Sequence, residues 1–122
     1  MPQGTLNGYA LAMLTGTDHT YVTSSDGYTW PCFGRSQGGS LICSGVGNTA
    51  KANCLSNPGG RFAGIIYGIT GVCHQAANRV LYPSGQTVSR ARGYMASFAL
   101  YGTYGRRSWP ELAVCNASHV HP

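Results

Sequence analysis

Gly68-Ile69-Thr70-Gly71-Val72-Cys73-His74-Gln75-Ala76-Ala77-Asn78-Arg79-Val80-Leu81 is the stretch on which the reading of this chain turns. It opens apolar, passes through a glycine turn, and continues with small and apolar residues at helical spacing. Cys73, Ala76, Ala77, Val80 and Leu81 share one face by the i, i+3, i+4 rule, and Gln75, Asn78 and Arg79 lie off it. The spacing predicts a helix from about Cys73 to Tyr82, stopped by Pro83-Ser84-Gly85. A cysteine then stands at a helix start, where the amide N–H groups lack partners and the helix dipole places partial positive charge. Both effects favour thiolate over thiol. The small residues on the packing face let such a helix approach a sheet closely.

Upstream, Phe62-Ala63-Gly64-Ile65-Ile66-Tyr67-Gly68-Ile69 reads as the central strand feeding that turn. His19-Thr20-Tyr21-Val22-Thr23 and Tyr28-Thr29-Trp30, joined by Ser24-Ser25-Asp26-Gly27, predict a hairpin, because Asp-Gly between β-branched and aromatic runs suits a tight turn. Asn7 to Leu14 is a short apolar segment, helix or strand. Gly34 to Gly60 is rich in glycine and reads as loop, bracketed in part by Cys43 and Cys54, a candidate disulfide. Downstream a second helix is predicted from Thr87 or Ser89 through Tyr101, with Gly102 past its end and a partly irregular tail from Trp109. The expected fold class is α+β, a small antiparallel sheet packed against the helix that starts at Cys73, in a single domain over residues 1–122.

Composition narrows the chemistry. The only carboxylate side chains are Asp18, Asp26 and Glu111, so the net charge of +5 reflects missing acids more than clustered bases. The arginines are dispersed, whereas a phosphate-tracking surface gathers cations on one face, so no nucleic-acid partner is expected. A general attraction to anionic polymers is in keeping with the charge. A paired-carboxylate glycosidase is disfavoured, since Asp26 sits in the turn and Asp18 has no other near partner. The five cysteines make an odd set that leaves one thiol over, and Cys73 is the natural one. No Cys-x-x-Cys pair occurs, so neither a metal nor another cofactor is expected. No apolar run approaches the length of a membrane span, and no secretory signal is recognisable, so a soluble protein is expected.

For Cys73 to act as a nucleophile a histidine must reach it. His19, at the start of a strand, is the candidate base; the alternatives are an exposed strand-end histidine and a merely packed, buried cysteine. His74 is adjacent in sequence, but successive side chains on a helix point about 100° apart, so it suits the cleft wall better than the base. His119 and His121 stand in the tail. The group orienting the imidazole is open among Tyr28, Thr29, Trp30, Cys32, Asp18 and Asp26. An oxyanion would be held by the N–H of Cys73 or His74, with Gln75 or Tyr21 as a side-chain donor. Gln75, His74 and Tyr21 are thus the candidate substrate-binding residues.

The order of His19 on a strand, a hairpin, a loop, and then Cys73 opening a helix resembles the circularly permuted branch of the NlpC-type, papain-like superfamily. The run Cys73-His74-Gln75-Ala76-Ala77-Asn78-Arg79-Val80-Leu81-Tyr82-Pro83-Ser84-Gly85, followed by Ser89 and a second apolar helix, is similar in layout to its lecithin retinol acyltransferase-like members. The similarity spans roughly His19 to Leu100 and is one of order and layout. It implies cleavage or transfer at an amide or ester through an acyl-enzyme on Cys73. It further implies a peptidoglycan or other peptide substrate, an antibacterial effector exported without a standard signal to act in periplasm or cell wall (otherwise a cytoplasmic enzyme), and an immunity protein as partner. Gly71-Val72-Cys73-His74-Gln75 also resembles part of the glutamine amidotransferase elbow, but Trp109 stands where that family has histidine. Two readings compete from other classes: a disulfide-stapled, non-catalytic binding or toxin module for an anionic polymer, and a nuclease using His19 with arginines.

Overall fold

Alternation along Gln3–Ala12 (β1) turns Leu6, Gly8 and Ala10 inward and leaves Asn7, Tyr9 and Leu11 on the other side. In the computed structural model, which describes residues 3–57, 62–107, 109 and 111–116, β1 lies inside the sheet. Asp18–Ser24 (β2) and Ser40–Asn48 (β4) flank it, and Thr29–Trp30 (β3) lies outside β2. Every pairing is antiparallel, in the order β3-β2-β1-β4, with Tyr9 opposite Tyr21 and Leu11 opposite His19. Helices complete a mixed α+β architecture.

The predicted hairpin is β2–β3. Gly27 takes φ +103°, a conformation that favours glycine, and Ser24 N–H bonds the Tyr28 carbonyl at 3.0 Å. The Asp26 carboxylate accepts from the hydroxyls of Ser24 and Thr49, which hold its carboxyl below the usual range and tie the turn to Thr49–Leu55 (α1).

Gly34 to Gly60 and Phe62 to Ile69 fold otherwise than expected. The segment Gly34 to Gly60 is not one loop, since its middle forms β4 and then α1; its last residues lie outside the described ones. Glycine there serves close approach as well as turning: a Cβ on Gly47 would stand 2.9 Å from Leu6 Cδ1 and 3.1 Å from Ser84 N. Asn48 begins α1 by accepting the Lys51 N–H at 2.9 Å. Conversely, Phe62 to Ile69 is not a central strand. It forms a short 3-10 turn (Phe62–Gly64) and a bend closed by a single Tyr67–Gly71 bridge. Gly64 and Gly68 take φ of +80° and +78°, which breaks extended chain, and β1 already has strands on both sides.

The helix Cys73–Leu81 (α2) starts at the predicted residue and packs on β2, with Ala76, Ala77, Val80 and Leu81 buried. Its other face is buried as well. Arg79 donates to the carbonyls of Tyr104, Ala63 and Arg107 at 2.6–2.8 Å, with the Trp109 ring 5.2 Å from its guanidinium carbon. Asn78 donates to Tyr94 Oη and the Thr103 carbonyl and accepts from Val88 N–H. These bonds wrap the segment after Tyr94–Tyr101 (α3) around α2. The predicted second helix is cut to α3 because Gly93, at φ +83°, sets its start; Gly102 ends it as expected. A last turn, Glu111–Val114 (α4), brings Cys115 onto Cys54. That disulfide replaces the expected Cys43–Cys54 pair, leaving Cys32, Cys43 and Cys73 as free thiols. Among the described residues no helix is long and apolar enough to cross a membrane.

Candidate active site

β3 is only two residues long, so among the described residues no strand pairs with the outer edge of β2 beyond Trp30. The start of α2 fills that gap. The Cys73 sulfur lies close enough to the N–H and hydroxyl of Thr20 and to the His19 imidazole for each to lower its pKa. A strand edge that would otherwise leave an N–H unpaired thus becomes part of a sulfur site.

The His19 ring is held from the other side by the chain that follows β3. Its Nε2 lies 2.6 Å from the Arg35 carbonyl oxygen. A carbonyl only accepts, so Nε2 carries the hydrogen and Nδ1 is the nitrogen left for the sulfur. The Pro31 carbonyl adds a second acceptor at the ring. Between them Cys32 and Phe33 take φ of +51° and +78°, an uncommon conformation for side-chain-bearing residues that turns both carbonyls toward one imidazole. Gly34 lies directly against the ring: a Cβ there would stand 2.5 Å from Cε1 and 2.8 Å from Nε2.

Electrostatics follow from these contacts. Burial alone would push the Cys73 thiol up, but the bonds from His19 and Thr20 and the charge of His19 outweigh it, and the thiol titrates below its ordinary value. Burial alone would depress His19, but its bond to Cys73, the Arg35 carbonyl, the charge of Cys73 and the Pro31 carbonyl hold it above its ordinary value. The opposed shifts favour thiolate and imidazolium together.

Cys73, His19 and His74 all line one cleft of about 800 Å³. Burial brings His74 down to about 4, so it is uncharged at neutral pH; its Nδ1 lies 3.4 Å from Thr20 Oγ1. Gln75 and Tyr21 are not among the cleft-lining residues. Gln75 accepts the Val72 N–H and donates to Ser97 Oγ and the Gly102 carbonyl, which spends its amide on anchoring α2. Tyr21 donates its hydroxyl to the Gly38 carbonyl at 2.6 Å and stacks on Tyr9. With Gln75 occupied at Val72, the donors available for an oxyanion are the backbone N–H groups of Cys73 and His74, ahead of the bond from Ala76 N–H to the Val72 carbonyl.

The six candidates for orienting the imidazole have other work. Asp18 holds Arg92 through its backbone N–H and its Nε, Asp26 closes the hairpin, and Trp30 donates to Asn53 Oδ1. Tyr28 stacks on Trp30, Thr29 is exposed on β3, and Cys32 is a buried thiol pushed well up by desolvation. The orienting group is the Arg35 main chain, which no side-chain pattern announces. Thr20 was equally hidden, since nothing in a strand sequence says which residue meets a helix start. Gly34 left a faint trace as a glycine soon after the hairpin. His119 and His121 lie outside the described residues. Among the described residues no three His, Cys, Asp or Glu side chains gather as a metal site. Comparison with protein families, curated proteins and solved structures finds no match to this chain.

Proposed function

We propose that this protein is a cysteine hydrolase that cleaves an amide or ester through an acyl-enzyme on Cys73. The observation that carries the reading is the Cys73 sulfur at a helix start, beside the His19 imidazole in the lining of one cleft. The thiolate attacks the substrate carbonyl carbon, and the oxyanion that forms is met by the N–H groups of Cys73 and His74. The imidazolium gives its Nδ1 proton to the departing amine or alcohol as the C–N or C–O bond breaks, leaving a thioester on Cys73. Neutral His19 then takes a proton from water as that water attacks the thioester. The acid departs, the proton returns to the thiolate–imidazolium pair, and the Arg35 carbonyl keeps the tautomer fixed throughout.

The permuted NlpC-type assignment remains part of this proposal, and with it peptidoglycan peptides as the amide substrate, action in the periplasm or cell wall, and an immunity protein covering the cleft. These rest on the resemblance in layout. Cys73→Ala tests the reaction class, because alanine suits the buried helix face and removes only the sulfur. Hydrolysis of cell-wall fragments and of small chromogenic esters is expected to vanish while the melting curve persists. A folded Cys73→Ala protein with normal turnover would remove the proposal.

A further inference from the structure

We infer that the substrate carries an apolar group, aliphatic or aromatic, beside its scissile bond; this deepens, and rests on, the cysteine-hydrolase reading. The walls around Cys73 come from three places. The β1–β2 connection supplies Met13 and Leu14, the bend after Ile65 supplies Tyr67, and α3 supplies Leu100. Leu14 is fully exposed, and Met13, Tyr67 and Leu100 are 48 %, 59 % and 60 % exposed. Apolar side chains scattered singly over a surface need no explanation, but here they ring one nucleophile. Covering them with an apolar substrate group removes that surface from water, about a fourfold gain in binding for each buried CH₂.

Charged side chains are few in the same cleft. Besides the Cys73–His19 pair, two charged residues line it: Asp18 is neutralised by Arg92, and Arg35 turns its carbonyl to His19 while its side chain is exposed. His74 is uncharged at neutral pH. The cleft is also built before substrate arrives. Asp18 N–H donates to the Arg92 carbonyl at 2.9 Å, and Thr17 packs so close to Gly93 that a Cβ there would stand 2.7 Å from Thr17 Cγ2. These contacts pin the β1–β2 connection to the start of α3, so the apolar walls face each other across a fixed gap.

The test is a set of p-nitrophenyl esters hydrolysed by the intact protein: acetyl, octanoyl, succinyl, and the N-acetyl derivatives of leucine, phenylalanine and glutamate. In parallel, iodoacetamide alkylation of Cys73 is compared with that of Cys43. The inference expects kcat/KM for the octanoyl, leucyl or phenylalanyl ester to exceed that for the acetyl, succinyl and glutamyl esters by about tenfold or more. Octanoyl leading identifies a fatty chain as the source of the apolar group; leucyl or phenylalanyl leading identifies a peptide side chain. Leu100→Asp, at an exposed position, should erase about tenfold of that preference. Hydrolysis with no preference, or with succinyl or glutamyl leading, overturns this inference and leaves the hydrolase standing. No hydrolysis with Cys73 no more reactive than Cys43 overturns the hydrolase reading and this inference with it.

Discussion

Thr20→Val removes one atom's chemistry from the sulfur site and almost no volume. Thr20 is fully buried on β2, and valine keeps its β-branched shape, its strand preference and its backbone N–H. What disappears is the hydroxyl bond to Cys73, together with the partner of His74 Nδ1. A hydrogen bond to a charged group contributes about 1.5–3 kcal/mol, and sulfur, a weak acceptor, belongs at the lower end. Loss of about 1.5 kcal/mol from the thiolate alone shifts the thiolate-to-thiol ratio roughly tenfold toward thiol. The assay is the rate of Cys73 alkylation by iodoacetamide as a function of pH, with peptide mapping to exclude Cys32 and Cys43. Since the hydroxyl bond lowers the thiol, its removal must raise it, so the acid limb of the profile moves to higher pH. The rate on that limb falls about tenfold, and the plateau at high pH is regained. Thr20→Ser should restore most of the difference. A Thr20→Val protein that melts normally and alkylates like the parent at every pH would refute the idea that Thr20 holds the thiolate.

Gly34→Ala forces a Cβ to within 2.5 Å of His19 Cε1, so the ring must move; ester hydrolysis should fall about 100-fold with little change in melting temperature, and unchanged turnover would show the ring is not braced there. Replacing Cys54 and Cys115 together opens a loop spanning a sequence separation of 61. Loop-closure entropy then puts the loss near 4 kcal/mol, read as a fall in the denaturant midpoint, and an unmoved midpoint would contradict it. His74 binds its proton less readily folded than unfolded, so stability should drop as pH falls from about 6.5 to about 4. That drop amounts to about 3 kcal/mol, measured as urea midpoints across that range. A slope that survives in His74→Phe would assign the loss to another group.

What the sequence disclosed was local. The Asp26-Gly27 turn, the start of α2 at Cys73 and its stop, one residue short of the expected Tyr82, all depend on residues within a few positions of one another. The strand β4 was obscured by its glycines: Gly47 reads as part of a loop, but it is small because Leu6 presses against it, while β1 read only as an apolar segment, helix or strand. The run from Phe62 to Ile69 misled in the opposite sense, because apolar content alone does not supply a neighbour to pair with. Gln75, Asn78 and Arg79 read as the outward face of a helix, and only the return of residues 102–107 over α2 buries them. The pair of Cys73 and His19 was legible because residue type and element were enough to nominate them. Their supports were not, since a carbonyl at Arg35, a strand edge at Thr20 and a disulfide between distant cysteines exist only once the chain has folded.

The claim at the centre is that Cys73 is a thiolate because His19 is an imidazolium. Thiolate absorbance in the ultraviolet, recorded against pH and subtracted between the parent protein and Cys73→Ala, measures that charge directly. The account predicts a Cys73 step below the ordinary thiol range that moves up when His19 is replaced by alanine. A Cys73 step at or above the ordinary thiol range, indifferent to the loss of His19, would contradict it.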